Sequence, residues 1–176
     1  VLNIAMVGSD DLAKSIAKAT DQRDVHTYVH KESGPDGPRI LSIIRPAKLP
    51  ERIRPFFNAL CAARVGLIEV TVIDATFGEA FVGFASAGIE NGIIVINPPT
   101  GEWIDEDQVK GFLTQAGLSS WAQCGSDGIK IRDALYDLMD EISGDLESAK
   151  KEPLVVPIDQ HFNVKGIGLV AIGYVQ

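Results

Sequence analysis

A glycine-containing turn near the start of the chain limits what this sequence can fold into. The apolar run Leu2–Val7 is followed by Gly8 and three polar residues, after which residues 12–19 have the composition of a helix. A strand that turns directly into a helix opens a β-α-β unit, and the N-terminus of such a helix is where phosphate groups bind. The sequence therefore predicts an α/β fold with a phosphate-binding type of loop at residues 8–15.

The spacing in this turn matches part of a phosphate-binding loop. The pattern is Gly-x-x-x-x-Gly-Lys-Ser/Thr, in which backbone N–H groups surround the α- and β-phosphates, the lysine reaches the β- and γ-phosphates, and the hydroxyl binds Mg²⁺. Gly8, Lys14 and Ser15 stand at the required positions, and Ala13 replaces the second glycine. We therefore predict Gly8, Lys14 and Ser15 as nucleotide-binding residues, with Ser15 also the metal ligand.

Two carboxylates in the same turn oppose the binding of an anion. Asp10 and Asp11 lie inside the loop that would surround the phosphates, and like charges at short range repel strongly where the dielectric is low. The alternative is an ordinary helix start, in which a serine or aspartate caps the helix and acidic residues favour its N-terminus. In that case Lys14 and Ser15 are solvated surface residues, and the motif alone favours this alternative.

Composition and charge exclude several classes of protein. The 176 residues, 45% of them hydrophobic, are enough for one sizeable α/β core. The net charge of −8 opposes binding of nucleic acid over the whole surface, and we predict no DNA partner. Cys61 and Cys124 are far apart and lie in no cluster typical of zinc sites or disulfides.

No segment has the character of a membrane span or a leader peptide. No apolar run approaches the roughly 18 residues of a spanning helix, and no basic segment precedes an apolar one. We therefore expect a soluble cytoplasmic protein without a membrane partner.

The order of predicted elements favours a mostly parallel sheet flanked by helices. Residues 24–29, at a sheet edge, and 39–44 are predicted to form a hairpin, with His26 and His30 on its surface. Further strands are predicted at 67–73, 92–96 and 120–124, and helices at 51–63, 80–87, 105–115 and 129–142. Alternation of strands and helices from residue 66 onward implies parallel pairing with right-handed crossovers.

The composition changes after residue 144, which predicts a division of the chain. Residues 1–145 are predicted as the first domain and the charged stretch 146–153 as a linker. Residues 154–176 are β-like and contain too few strands to close a sheet alone. They are either the opening of a second, β domain that lies outside this chain or a short appendage.

This C-terminal segment resembles the start of the second domain in SelB-type translation elongation factors, with the approximate pattern Ile-Asp-x-x-Phe-x-x-x-Gly-x-Gly-Thr-Val. Leu169 stands in place of the threonine. The matching positions include Asp159, Phe162, Gly166, Gly168 and Val170. Residues 1–143 are similar in length and element order to the G domain of this EF-Tu-like group, in particular to SelB-like factors of methanogenic archaea. The resemblance implies a P-loop NTPase-like G domain, with residues 154–176 as the start of β-barrel domain II.

The resemblance also implies a site for GTP or GDP with Mg²⁺, but its signatures are altered. The family's Asp-x-x-Gly motif falls on residues 45–48, with Leu49 at the histidine that positions the attacking water. A register shifted by one residue places Ile44 at the aspartate and Lys48 at the histidine. The guanine-binding Asn-Lys-x-Asp motif falls on residues 97–100 and keeps Asn97 alone, so the carboxylate that discriminates guanine is lost. The last signature falls near residues 124–126.

Phosphoryl transfer depends on positioning and on charge stabilisation by Mg²⁺ and oriented donors. Because those groups are altered here, we predict at most residual GTP hydrolysis and weak or lost nucleotide binding through Gly8, Lys14, Ser15 and Asn97. The first hypothesis is a SelB-like elongation factor module that acts through tRNA and the ribosome. The alternatives are a slow GTPase, with Lys14 on the phosphates, Ser15 on Mg²⁺ and Asn97 near the base, and a regulatory or interaction protein derived from such a factor.

Two basic and two aromatic residues have a structural and a functional interpretation each. Arg45 and Lys48 are candidates for holding an anion, such as an RNA phosphate, at the mouth of the site. Solvated loop residues are the favoured alternative, because scattered basic side chains are common. Trp103 and Trp121 are predicted to pack against helices rather than to stack on bases.

Overall fold

The computed structural model describes residues 1–35, 37–143, 156 and 158–173. Within these ranges the chain forms nine strands and five helices. The strands are β1 (Leu2–Val7), β2 (Lys18–Gln22), β3 (Val25–Gly34), β4 (Gly37–Pro46), β5 (Val65–Val70), β6 (Asn91–Ile96), β7 (Ala122–Gly125), β8 (Ile158–Val164) and β9 (Gly168–Gly173). The helices are α1 (Asp10–Ile16), α2 (Arg54–Ala62), α3 (Ala75–Ser86), α4 (Glu106–Ala116) and α5 (Gly128–Ser143).

The central sheet is mixed and mostly parallel, as the sequence predicts. Its strand order is β2-β3-β4-β1-β5-β6-β7. β1 pairs in parallel with β4 and β5, so that Ile4 lies opposite Ile43 on one side and Val65 on the other. β6 and β7 continue the parallel part, while β2, β3 and β4 are antiparallel. The carboxyl ends of five strands therefore meet at one edge of the sheet.

Helices cover both faces of this sheet, and each face has its own apolar core. Ile4 and Met6 of β1 belong to the core beneath α1 and α5, whereas Ala5 belongs to the core beneath α2, α3 and α4. This alternation follows from the period of two along a strand. A sheet buried on both faces explains why β5 and β6 are almost continuously apolar.

Trp121 packs in the core as predicted, but Trp103 does not. The indole of Trp121 is 5% exposed and lies edge-on to Phe84, 5.1 Å between ring centroids. It covers Gly66 and Gly92 so closely that a Cβ atom on either glycine would overlap it. Trp103, in contrast, is 80% exposed in the segment between β6 and α4, so its prediction as a helix-packing residue is wrong.

The edge of the sheet differs from the prediction. Residues 12–19 were expected to be one helix, but α1 ends at Ile16 and the chain continues as β2, which pairs with β3. The side chain of Thr20 donates to the carbonyl of Thr27 across this pair at 3.0 Å. β2 rather than β3 is therefore the edge strand. Residues 18–22 form a strand because they pair with β3, and this pairing outweighs their own helical propensity.

The two histidines of β3 are half-buried rather than on the surface. The Nδ1 atom of His30 lies 2.9 Å from the hydroxyl of Tyr136 on α5. His26 lies beside Arg45, whose Nη1 is 3.5 Å from its Nδ1. His30 is thus in contact with a helix that packs on the sheet, and His26 is in contact with a long side chain of the neighbouring strand β4.

The C-terminal segment contains an antiparallel hairpin of β8 and β9. Gly166 and Gly168 at its turn have φ angles of 87° and 97°, in the left-handed region that glycine adopts without strain. The predicted linker 146–153 lies outside the described residues, and the division into domains 1–145 and 154–176 stays a prediction. Among the described helices, none is long and apolar enough to cross a membrane.

The partial burial of His30 predicts a pH-dependent stability. Burial, and secondarily the guanidinium of Arg132, lowers the pKa of His30 below its usual 6.5. The unfolded chain therefore binds a proton more readily than the folded chain. This contribution to stability is complete above about pH 6.5 and is lost as the pH falls through the folded-state pKa.

We expect the melting temperature to fall between about pH 7.5 and about pH 5.5, and to fall less in a His30→Gln variant. An NMR titration of the His30 ring protons measures the pKa directly. A midpoint at or above about 6.5 would contradict this prediction.

Candidate functional site

An open cleft of about 510 Å³ lies at the carboxyl edge of the parallel strands. Segments that follow β1, β5, β6 and β7 contribute to it, which is where ligands bind in open α/β sheets. Its lining residues are Ser9, Asp11, Leu12, Ser15, Glu69, Thr71, Asn97, Pro98, Pro99, Thr100 and Ser126. Two of them carry a carboxylate and none is basic. Of the predicted nucleotide-binding residues, Ser15 and Asn97 are thus brought together here.

The turn after β1 forms a helix start rather than an open loop. Ser9 is the N-cap of α1, and its Oγ accepts from the backbone N–H of Leu12 at 3.1 Å. The N–H of Ala13 donates to the carbonyl of Ser9 at 3.3 Å. The N–H groups of Leu12 and Ala13, which a phosphate-binding loop could direct at a ligand, are therefore used by the helix itself.

Lys14 is engaged by an acidic residue of its own helix. Its Nζ lies 2.5 Å from Asp10 Oδ2, one helical turn earlier, and its side chain is 55% exposed. The other carboxylate oxygen of Asp10 accepts from the hydroxyl of Tyr28. The hydrogen bond from Lys14 and then that from Tyr28 hold the pKa of Asp10 below its usual value, and Asp10 in turn raises the pKa of Lys14. The positive charge of Lys14 is thus balanced within the protein.

A buried carboxylate, Glu69 near the end of β5, occupies the inner side of the cleft. Its Oε2 accepts from the backbone N–H of Ser9 at 2.5 Å, and its Oε1 accepts from the side-chain amide of Asn97 at 2.6 Å. Glu69 is 8% exposed. Among the residues that the structure describes, it is the one charged residue that is buried. Asn97 therefore donates to Glu69, whereas the resemblance to SelB-like factors implies that it contacts the guanine base.

Gly8 is needed for this arrangement because Glu69 lies against its Cα. A Cβ atom at position 8 would stand 2.8 Å from the Cβ of Glu69 and 3.0 Å from its Oε2. On the other side, the Nε of Arg45 donates to the carbonyl of Gly8 at 2.6 Å. Because Gly8 has no side chain, Glu69 can lie close to its Cα. Arg45 fixes the backbone of the turn through its hydrogen bond to the Gly8 carbonyl.

The remaining predicted site residues have no shared ligand geometry. The Oγ of Ser15 donates to the carbonyl of Leu12 at 2.7 Å, and within the described ranges no group of three or more acidic, histidine or cysteine residues could hold a metal ion. Lys48 is exposed in the segment after β4. The roles assigned to Gly8, Lys14, Ser15, Asn97, Arg45 and Lys48 stay predictions.

Glu69 is the residue that the sequence analysis missed. The signal was present, since a single carboxylate interrupts an otherwise apolar strand that was predicted to be central and buried. Buried charges require partners. Its partners, however, are 60 and 28 residues away along the chain, and no spacing rule connects them.

The fold is similar to that of SelB-like translation elongation factors. A bacterial selenocysteine-specific elongation factor, EF-Sec, superimposes with a TM-score of 0.62 at 22% identity, over 98% of this chain and 34% of that chain. Translation elongation factor SelB from Methanococcus maripaludis, solved with the GTP analogue GppNHp, superimposes with a TM-score of 0.59 at 17% identity, over 99% of this chain and 41% of that chain. At these identities the likeness establishes the fold and no particular member of the group.

The sequence is also similar to a curated protein. An uncharacterized protein of Methanocaldococcus jannaschii is 26% identical over 176 residues, which are 99% of this chain and 53% of that protein. The chain therefore spans about half the length of this curated relative. No family model matches the sequence.

The cap of α1 gives a prediction about stability. Ser9→Ala removes the acceptor for the N–H of Leu12 and is expected to cost about 1 kcal/mol of unfolding free energy. Ser9→Thr keeps a hydroxyl at the same place and is the matched control. Urea denaturation measures both, and equal stability of Ser9→Ala and the wild type would show that this helix start contributes nothing.

Proposed function

We propose that this chain is a module of a SelB-like translation elongation factor with a degenerate nucleotide site. It binds GTP or GDP with Mg²⁺ weakly or not at all, and its GTP hydrolysis is at most residual. The observation that carries this proposal is the helix start at Asp10, which uses the turn after β1 internally. A site in which the lysine and the N–H groups of Ser9, Leu12 and Ala13 are bonded to groups of the protein has lost main sources of phosphate affinity.

The charges around the cleft support the same proposal. Asp11 and Glu69 line it, and Lys14 is paired with Asp10. An incoming triphosphate therefore meets two carboxylates without a compensating cation on the lining, and Coulomb repulsion at this range weakens binding. Mg²⁺ bound to the nucleotide offsets part of this repulsion, which is why weak binding belongs to the proposal.

The partners in this proposal are tRNA and the ribosome. The support for them is the likeness of the fold to translation elongation factors. The net charge of −8 limits RNA contacts to local basic positions, among which Arg45 and Lys48 are the candidates near the site. Cytoplasmic location and the absence of membrane and DNA partners remain expectations of the same proposal.

A slow GTPase is the second candidate function, and one observation favours it. Ser15 and Asn97, predicted at the metal and at the base, line one cleft. In this alternative the Asp10–Lys14 pair opens and Lys14 turns to the phosphates when a nucleotide binds.

Titration calorimetry with GTP, GDP and ATP in the presence of Mg²⁺ separates these candidates. The degenerate site predicts no saturable heat at micromolar nucleotide and no increase in melting temperature. A ligand at 100 times its Kd would stabilise the fold by roughly 2.7 kcal/mol, so modest affinity would be seen in the melt.

Lys14→Ala is the control variant in the same titration. Guanine-selective binding that Lys14→Ala weakens at least tenfold would overturn the degenerate site and favour the slow GTPase. Aminoacyl-tRNA and ribosome binding is measured in parallel by filter binding and co-sedimentation. Absence of both interactions would remove the translational part of the proposal and favour a regulatory or interaction protein.

A further inference from the structure

We infer that Glu69 takes the place of a bound phosphate and is the residue that excludes anions from the cleft. Its carboxylate occupies the donors beside the turn after β1, so the turn is held without any ligand. This inference rests on the proposed function, because it names the cause of the weak nucleotide binding proposed for the same site.

The hydrogen bonds of Glu69 are those of a bound oxyanion. One oxygen accepts from a backbone N–H, that of Ser9, and the other accepts from a side-chain amide, that of Asn97. The donors come from the turn after β1 and from the end of β6, on either side of β5. Charged acceptors form stronger hydrogen bonds than neutral ones, so an incoming anion must displace a ligand that is covalently part of the chain.

The packing around Glu69 shows that the carboxylate is built into the fold. Gly8 leaves room for its Cβ and Oε2, and the Cε atom of Met6 lies beside the same space. Glu69 lies on a central strand between β1 and β6, which sets the place from which its side chain starts. Its burial and its two hydrogen bonds hold the carboxylate in position.

The charges around the cleft explain why a second anion is repelled, in addition to the fact that Glu69 already occupies the donors. Asp10 takes up the charge of Lys14, and Arg45 donates to the carbonyl of Gly8. Lys14 and Arg45 are thus both bonded to groups of the protein. With Glu69 and Asp11 on the lining, a second anion at this place would be repelled from two sides.

The test compares Glu69→Gln with the wild type, using inorganic pyrophosphate as the probe. The glutamine keeps the size of the side chain and removes its charge, so that a weaker, neutral acceptor, which pyrophosphate can displace, faces the N–H of Ser9. Glu79→Gln, at an exposed position of α3, makes the same change in net charge away from the cleft and is the matched control. Melting temperatures are recorded with millimolar pyrophosphate and with sodium chloride of equal ionic strength.

We expect Glu69→Gln to melt roughly 2 to 10 °C below the wild type, because a charge-assisted hydrogen bond is lost. Pyrophosphate should raise its melting temperature by at least about 2 °C, as binding to the native state stabilises it. The wild type and Glu79→Gln should respond to pyrophosphate no more than to the matched salt. A response equal in all three proteins, or absent from Glu69→Gln, would overturn the inference.

A second variant keeps the test decisive if Glu69→Gln does not fold. Glu69→Val suits a buried strand and leaves the N–H of Ser9 for the probe. The same gain of response to pyrophosphate is required of it. Failure of both variants to fold even with pyrophosphate would contradict the inference, because phosphate would then be unable to replace the carboxylate.

The outcome is distinguishable from failure of the proposed function. Tight Mg²⁺-dependent GTP binding by the wild type overturns the proposed function whatever the variants show. A wild type that binds no nucleotide, together with Glu69 variants that gain no response to pyrophosphate, overturns the inference alone.

Discussion

The contact between the Glu69 carboxylate and the backbone N–H of Ser9 is the interaction on which the arrangement of the site depends. A carboxylate on a buried strand is costly unless its oxygens are hydrogen-bonded. Here the donors are Ser9 and the side-chain amide of Asn97. Because one oxygen reaches toward β1 and the other toward β6, this side chain fixes the ends of three neighbouring strands relative to one another. It also requires a glycine at position 8, where a Cβ atom would collide with it.

A second set of charges lies on the other side of the turn. Asp10 receives hydrogen bonds from Lys14 and Tyr28, and Tyr28 is fully buried on β3. Two cations beside the turn are therefore bonded within the protein: Lys14 to Asp10 and Arg45 to the carbonyl of Gly8. These bonds hold the turn by contacts within the protein. The fold is similar to that of the two solved elongation factors, and in this chain the cations beside the turn are bonded to groups of the protein.

Much of the fold could be predicted from local patterns. The helix α4 was predicted with its acidic start and its stop at Gly117; Asp105 caps it and Gly117 adopts a φ of 77°. The apolar runs of β5 and β6 and the hairpin of β3 and β4 were likewise predictable, because burial and turn chemistry act over a few residues. β2 was not, because it is held by pairing with β3 rather than by its own sequence.

The candidate site was less predictable than the fold for a physical reason. The motif at residues 8–15 preserves a spacing, but the function of a phosphate-binding loop depends on where backbone N–H groups point and on which charges are free. Those properties depend on Glu69, which meets Ser9 across 60 residues of chain. Trp103 illustrates the same limit, since its 80% exposure depends on what surrounds it in three dimensions.

The most direct test is an NMR titration of the wild-type protein with Mg²⁺ and GTP, observing the backbone amide of Ser9 and the side-chain amide of Asn97. If Glu69 holds both donors, neither resonance should change as the nucleotide is added. Saturable shifts of these two resonances with GTP, absent with ATP, would show that a guanine nucleotide displaces the carboxylate and would contradict this account.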